Sequence, residues 1–167
     1  MRIVLTLSLL FLFTAPSLAA QKAHVDRIAV VSAGLFKSKI ARKVASPGSA
    51  TGTRDVIASE TLLRRTTETT ARLGDEFGFR YRIVGAPKGA KVPVKIVTIY
   101  PGEGLHNPKT DKMTQREELN VDRQIGRLPY ESYSFDHDWE MVPGTWSFEI
   151  WYDGKKLAEQ KFTVTKP

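Results

Sequence analysis

The pair Asp153-Gly154, set between two runs of alternating polar and apolar residues, constrains this chain more than any other feature. The run before it places Trp146, Phe148, Ile150 and Tyr152 on one side. The run after it carries Leu157, Phe162 and Val164. A two-residue hairpin turn that matches strand twist needs positive φ at both central residues, and Asp-Gly meets that need at little cost. The chain therefore ends in an antiparallel hairpin with one apolar face, and such a face must be covered by a second layer.

Similar runs fill the rest of the chain. In Glu76 to Val84, Phe77, Phe79, Tyr81 and Ile83 take one face, while Glu76, Gly78, Arg80 and Arg82 take the other, which is expected to face solvent. Val92, Val94, Ile96, Thr98 and Tyr100 form the next strand, and Val97 and Ile99 predict cover on both faces at its far end. Arg27 to Ile40 is rich in β-branched residues, with Gly34 as an expected bulge. Ser46 to Gly52 reads as a loop. Thr53 to Thr70 could form an amphipathic helix, but its threonines favour strand. Residues 101–113, with two Pro and two Gly, read as a long functional or mobile loop. Thr114 to Ile125 is polar enough for an edge strand, and Tyr133 to Met141 alternates, placing His137 in a strand. The expected fold is all-β: an antiparallel two-sheet sandwich of immunoglobulin-like type with about eight strands.

The beginning of the chain carries a different signal. Arg2, the apolar run Ile3 to Phe13, Pro16 and the small residues Ser17 to Ala20 have the layout of a secretory leader. The run is short for a membrane span, which needs about 20 apolar residues. The organisation read from this is a signal peptide over 1–19, a flexible lead-in over 20–26, and one domain over 27–167 with no membrane span. The chain has no cysteine, so an exported domain of this kind is held by its core rather than by disulfides. Periplasmic or secreted bacterial localisation follows.

The net charge is +7, with basic clusters at Lys37, Lys39, Arg42 and Lys43 and at Arg64-Arg65. In an exported protein these predict a solvated face, with envelope glycans or lipid headgroups as the polyanions at hand and no role for nucleic acid.

Candidate chemistry is sparse. There is no Cys and no GxSxG, and the three histidines, His24, His106 and His137, form no readable triad. His106 lies near Glu103 and Asp111, but the spacing matches no metal motif, so no catalytic residue, metal or cofactor is assigned. Trp151 has the parity of Ser147 and Glu149, opposite to the apolar face, which makes it an exposed anchor for a sugar ring or a protein. Arg80 and Arg82 are structural if paired with Glu76 or Glu149, and otherwise receive a carboxylate or phosphate.

Several segments, taken in order, also resemble a known family. They are Phe77-Gly78-Phe79, Tyr100-Pro101, Asn107-Pro108, and Trp139-Glu140 with Val142-Pro143-Gly144-Thr145-Trp146. Over about residues 27–165 the chain resembles the bacterial domain-of-unknown-function 3859 family. The resemblance implies one exported β-rich domain and supplies no catalytic residues.

The expectation is thus a non-enzymatic envelope module that binds a protein partner, for example by strand addition, with Trp151, Arg80, Arg82 and the loop of His106 as its candidate contacts. A glycan-binding module is the first alternative, and a hydrolase or metal protein built on His106 the second. Oligomeric state stays open.

Overall fold

The computed structural model describes residues 22–166. The leader expected over 1–19 and the first residues of the expected lead-in lie outside that range. Eleven strands follow in order: β1 His24–Ala45, β2 Thr53–Arg65, β3 Glu68–Thr70, β4 Glu76–Ala86, β5 Lys91–Ile99, β6 Leu105–Asn107, β7 Lys112–Thr114, β8 Arg116–Gln124, β9 Tyr130–Ser134, β10 Gly144–Tyr152 and β11 Lys155–Thr165. Three of these have only three residues, which leaves eight longer strands, of which β9 overlaps the run expected over Tyr133 to Met141 only at Tyr133 and Ser134.

They form two sheets, β2-β1-β4-β9 and β3-β11-β10-β5-β8, and a small β6-β7 hairpin. Every pairing is antiparallel except that of β3 with β11. The β10–β11 turn is as expected, with φ of 49° at Asp153 and 72° at Gly154. Thr53 to Thr70 is strand, split by a break between β2 and β3.

The core lies between the sheets. Phe77, Phe79, Tyr81 and Ile83 of β4 face Trp146, Phe148 and Ile150 of β10, and all are buried. The ring of Phe77 meets Trp146 edge-on at 5.5 Å and Phe162 at 5.1 Å. Burying each such side chain stabilises the fold by about 1.5–3 kcal/mol, and the edge-to-face contacts add to that. The Trp146 indole N–H donates to the Val142 carbonyl at 2.9 Å, so its one polar atom is satisfied.

Several expectations are corrected. The lead-in is shorter than 20–26, because His24 and Val25 already pair with β4. Residues 101–113 are not a free loop, since β6 and the start of β7 order them. His137 is not in a strand. It precedes a 3₁₀ turn, Asp138–Glu140, pinned by the buried Glu140 carboxylate, which accepts from the N–H of His137 at 2.8 Å and of Asp136 at 2.6 Å and from the Tyr133 hydroxyl at 3.1 Å. Those bonds outweigh strand alternation locally. Glu76 does not face solvent either, because hydroxyls of Ser38, Tyr130 and Ser132 enclose one of its oxygens.

β1 shapes the candidate site. From His24 to Phe36 it pairs with β4, and from Gly34 to Ala45 with β2. Gly34 sits at the exchange, where a Cβ would overlap the Arg64 carbonyl. Beyond Phe36, which pairs with the first residue of β4, the β1–β2 ribbon has no further strand beside it among the described residues. Register shifts at Leu35/Phe36, Lys39/Ile40 and Ile40/Arg42 mark bulges, which bend such a ribbon. It forms an arm, and the basic residues Lys37, Lys39, Arg42, Lys43 and Arg54 lie along it.

Candidate functional site

The arm crosses to the other sheet and docks there by its tip. The backbone N–H of Ala50 donates to Glu117 Oε1 of β8. Its carbonyl accepts from Asn107 Nδ2 of β6 at 2.8 Å. Nearer the root, Lys43 Nζ bridges Asp55 at 2.8 Å and Asp136 at 3.2 Å. Ala50 is only 3 % exposed, although its side chain is a single methyl.

Beneath the arm lies a cleft of about 530 Å³. Its floor is apolar where Ile96 and Phe148 reach it from sheet β5–β10. Its walls are β9, from Tyr130 to Ser134, and Glu117 to Leu119 of β8. The roof is the arm itself, with Lys43, Ser46, Ser49 and Asp55. A concave site with an apolar floor and a few convergent polar groups is the usual form of a ligand pocket.

The cleft is rich in carboxylates within a basic chain, and most are held internally. Glu131 pairs with Arg123 at 2.6 Å, and the exposed Glu118 with Arg116 and Lys95. Those bonds from Arg116 and Lys95 lower the Glu118 pKa. Glu117 is the exception. Burial raises its pKa above its ordinary value, and the Tyr100 phenol and the N–H of Ala50 beside it only partly offset that. Burial likewise pushes the phenols of Tyr130 and Tyr133 well up, so both are neutral donors.

The residues singled out from the sequence lie elsewhere and do not converge. Trp151 is half-buried rather than an open platform. Its Nε1 donates to Glu149 at 2.7 Å, and Lys95 Nζ lies 5.8 Å from its ring centre. Ser147 and Glu149, expected on a solvent face, are buried beneath long neighbours such as Lys156, which pairs with Glu149 at 2.9 Å. Arg80 is structural, but its partner is Glu60, not Glu76 or Glu149. Nε donates to Glu60 Oε1 at 3.1 Å, Nη2 donates to the Glu60 carbonyl at 3.0 Å, and the guanidinium lies over Phe36. Arg82 is exposed and makes no ion pair among the described residues. His106 meets Asp111 at 2.8 Å, both exposed, while Glu103 does not join them. No group of three or more potential metal ligands occurs among the described residues.

The cleft residues were harder to see in advance. Glu117 reads as one charge among many on an edge strand, and Ala50 carries no chemical signal. Of Ala50, Glu117 and Asn107, only Asn107 stood in a segment that drew notice, as half of Asn107-Pro108.

Two comparisons bear on the whole chain. The family model described as "Domain of unknown function (DUF3859)" matches residues 24–164. Among solved structures, an immunoglobulin-like protein from Pseudomonas aeruginosa is similar, with a TM-score of 0.58, 22 % identity, and coverage of 86 % of this chain and 97 % of that one. At that identity the likeness shows the fold, an immunoglobulin-like β-sandwich. No curated protein matches the chain.

Proposed function

Because this chain belongs to the DUF3859 family, whose description assigns no activity, we propose its function from its own geometry: a non-enzymatic binding module that receives its ligand in the arm-roofed cleft. The observation that carries this reading is the cleft, about 530 Å³ in volume with an apolar floor and a polar rim. The leader-like residues 1–19 support export to the bacterial envelope or beyond, so the ligand is sought there: a segment of an envelope protein or a small envelope component.

Two features favour binding over catalysis. The hydroxyls of Ser38, Tyr130 and Ser132 all donate to Glu76 Oε1, and an acceptor that saturated is a poor base for activating any of them. His106 is paired with an exposed aspartate away from the cleft. The glycan reading loses support, because no aromatic is among the exposed large hydrophobics of the described residues.

A second reading rests on its own observation. Between Val25 and Ser32 the edge of β1 away from β4 has no strand beside it among the described residues, and Val30 and Val31 there are 37 % and 44 % exposed. A partner strand could add to that edge.

The melting temperature of residues 20–167, measured against envelope glycans, cell-wall peptides, metals and anions, tests the first reading. A ligand at about 100 times its Kd adds roughly 2.7 kcal/mol, or roughly 5–10 °C at this size. The shift is expected to vanish in Thr98→Trp, which fills the cleft. A shift that survives Thr98→Trp, or a flat panel with photocrosslinks from Val31 alone, overturns it in favour of the bare edge.

A further inference from the structure

We infer that the β1–β2 arm is a strap that opens and closes over the cleft while the sandwich stays folded, with the backbone of Ala50 as its latch. The inference rests on the cleft being the binding site and adds how that site is entered.

Three observations support it. The first is how the arm is attached. Its root is tied into the sheet, with the ring of Phe36 4.6 Å from that of Tyr130, Ser38 bonded to Glu76, and Glu60 bonded to Arg80. From Lys39 outward its hydrogen bonds and ion pairs to the body, among the described residues, fall at two places, Lys43 against Asp136 and Ala50 against Glu117 and Asn107. Between them the cleft replaces packing.

The second is the latch itself. The tip is seated by one N–H and one carbonyl of a residue whose side chain is a methyl, so no large side chain has to be withdrawn. A few hydrogen bonds and one half-exposed ion pair hold it, each modest on balance with water. The sandwich is held instead by the buried aromatic core, to which the arm beyond Phe36 adds little except Ala50.

The third is the position of the bulges. Those at Lys39/Ile40 and Ile40/Arg42 lie between root and tip, where a bend moves the tip and leaves the β1–β4 pairing intact. A two-stranded ribbon without a third strand is marginal by itself, so the arm depends on its tip contact to stay seated.

The absence of cysteine gives a direct test in the mature chain. Thr98→Cys places one thiol on the cleft floor, and Val94→Cys in a separate chain places one in the core. Each is reacted with a small maleimide and with a polymer-tagged maleimide, with and without Asn107→Ala. The strap predicts that Asn107→Ala speeds polymer labelling at Thr98→Cys about tenfold, as loss of one buried hydrogen bond allows. Labelling at Val94→Cys should not change. Lys43→Gln should act in the same direction.

An unchanged polymer rate at Thr98→Cys overturns the strap. So does a rise that runs parallel at Val94→Cys, since that reports global unfolding. The test needs no ligand. A responsive strap with a flat ligand panel removes the cleft's binding role alone, and a ligand that binds beneath an unresponsive arm removes the strap alone.

Discussion

Gly144 lies against Pro101: a Cβ built on Gly144 would stand 2.6 Å from the Cβ of the proline, and the glycine's φ is +129°. The contact joins the loop after β5 to the first residue of β10, two segments 43 positions apart. It gives Tyr100-Pro101 and Val142-Pro143-Gly144 one shared structural role. Gly144→Ala should therefore destabilise the fold by about 2 kcal/mol, from strain at positive φ and overlap with the proline. Urea denaturation measures it, and a loss under about 0.5 kcal/mol would show that the loop yields freely.

Glu140 is 1 % exposed and accepts from two backbone N–H groups and a phenol. Glu140→Ala strands all three donors and is expected to cost about 3 kcal/mol. Glu140→Gln keeps one acceptor oxygen and should cost less. Equal losses in the two variants would mean that side-chain volume, not hydrogen bonding, holds the 3₁₀ turn.

Arg80 should behave as a structural arginine. Arg80→Ala loses both bonds to Glu60 and the cover over Phe36, an expected cost of about 1–2 kcal/mol. Arg80→Lys cannot reproduce the two-pronged contact and should recover little. A double-mutant cycle with Glu60→Gln reads the coupling, and a value near zero would return Arg80 to the pool of free anion receptors.

Glu117 gives a pH dependence of definite sign. Its folded pKa is raised, chiefly by burial, so the folded chain holds this proton more tightly than the unfolded chain. Between the ordinary carboxylate pKa and the raised one the folded state binds more protons, and stability falls as pH rises through that window. Other groups add their own slopes, so the measured quantity is the difference between the native chain and Glu117→Gln. The native chain should lose ground to the variant as pH climbs through that window. A flat difference would place Glu117 in solvent.

The sandwich was legible because each long strand carries its own signature. Phe77 to Ile83 and Trp146 to Ile150 alternate cleanly, since the apolar side chains line the face between the sheets and the polar ones the opposite face. Alternation misled wherever a buried polar group changed the local balance. At His137 the pattern predicted strand, but the Glu140 carboxylate gathers the backbone into a turn. At Trp151 parity correctly separated it from the core, yet could not show that Lys95, Lys156 and Glu149 interlock around it. The cleft was hidden because it depends on where the arm's tip lands. Ala50, Glu117 and Asn107 meet across long sequence separations, and both contacts use backbone atoms of Ala50 that no residue type announces.

β1 is shared end to end between two partners, β4 and then β2, and the core lies almost wholly under the first half. Lengthening or shortening the ribbon by matched residue pairs beyond the Lys39/Ile40 bulge would leave every β1–β4 pairing in place and change only how far the roof reaches. Evolution can thus reshape the cleft by editing a single hairpin, without renegotiating the fold that carries it.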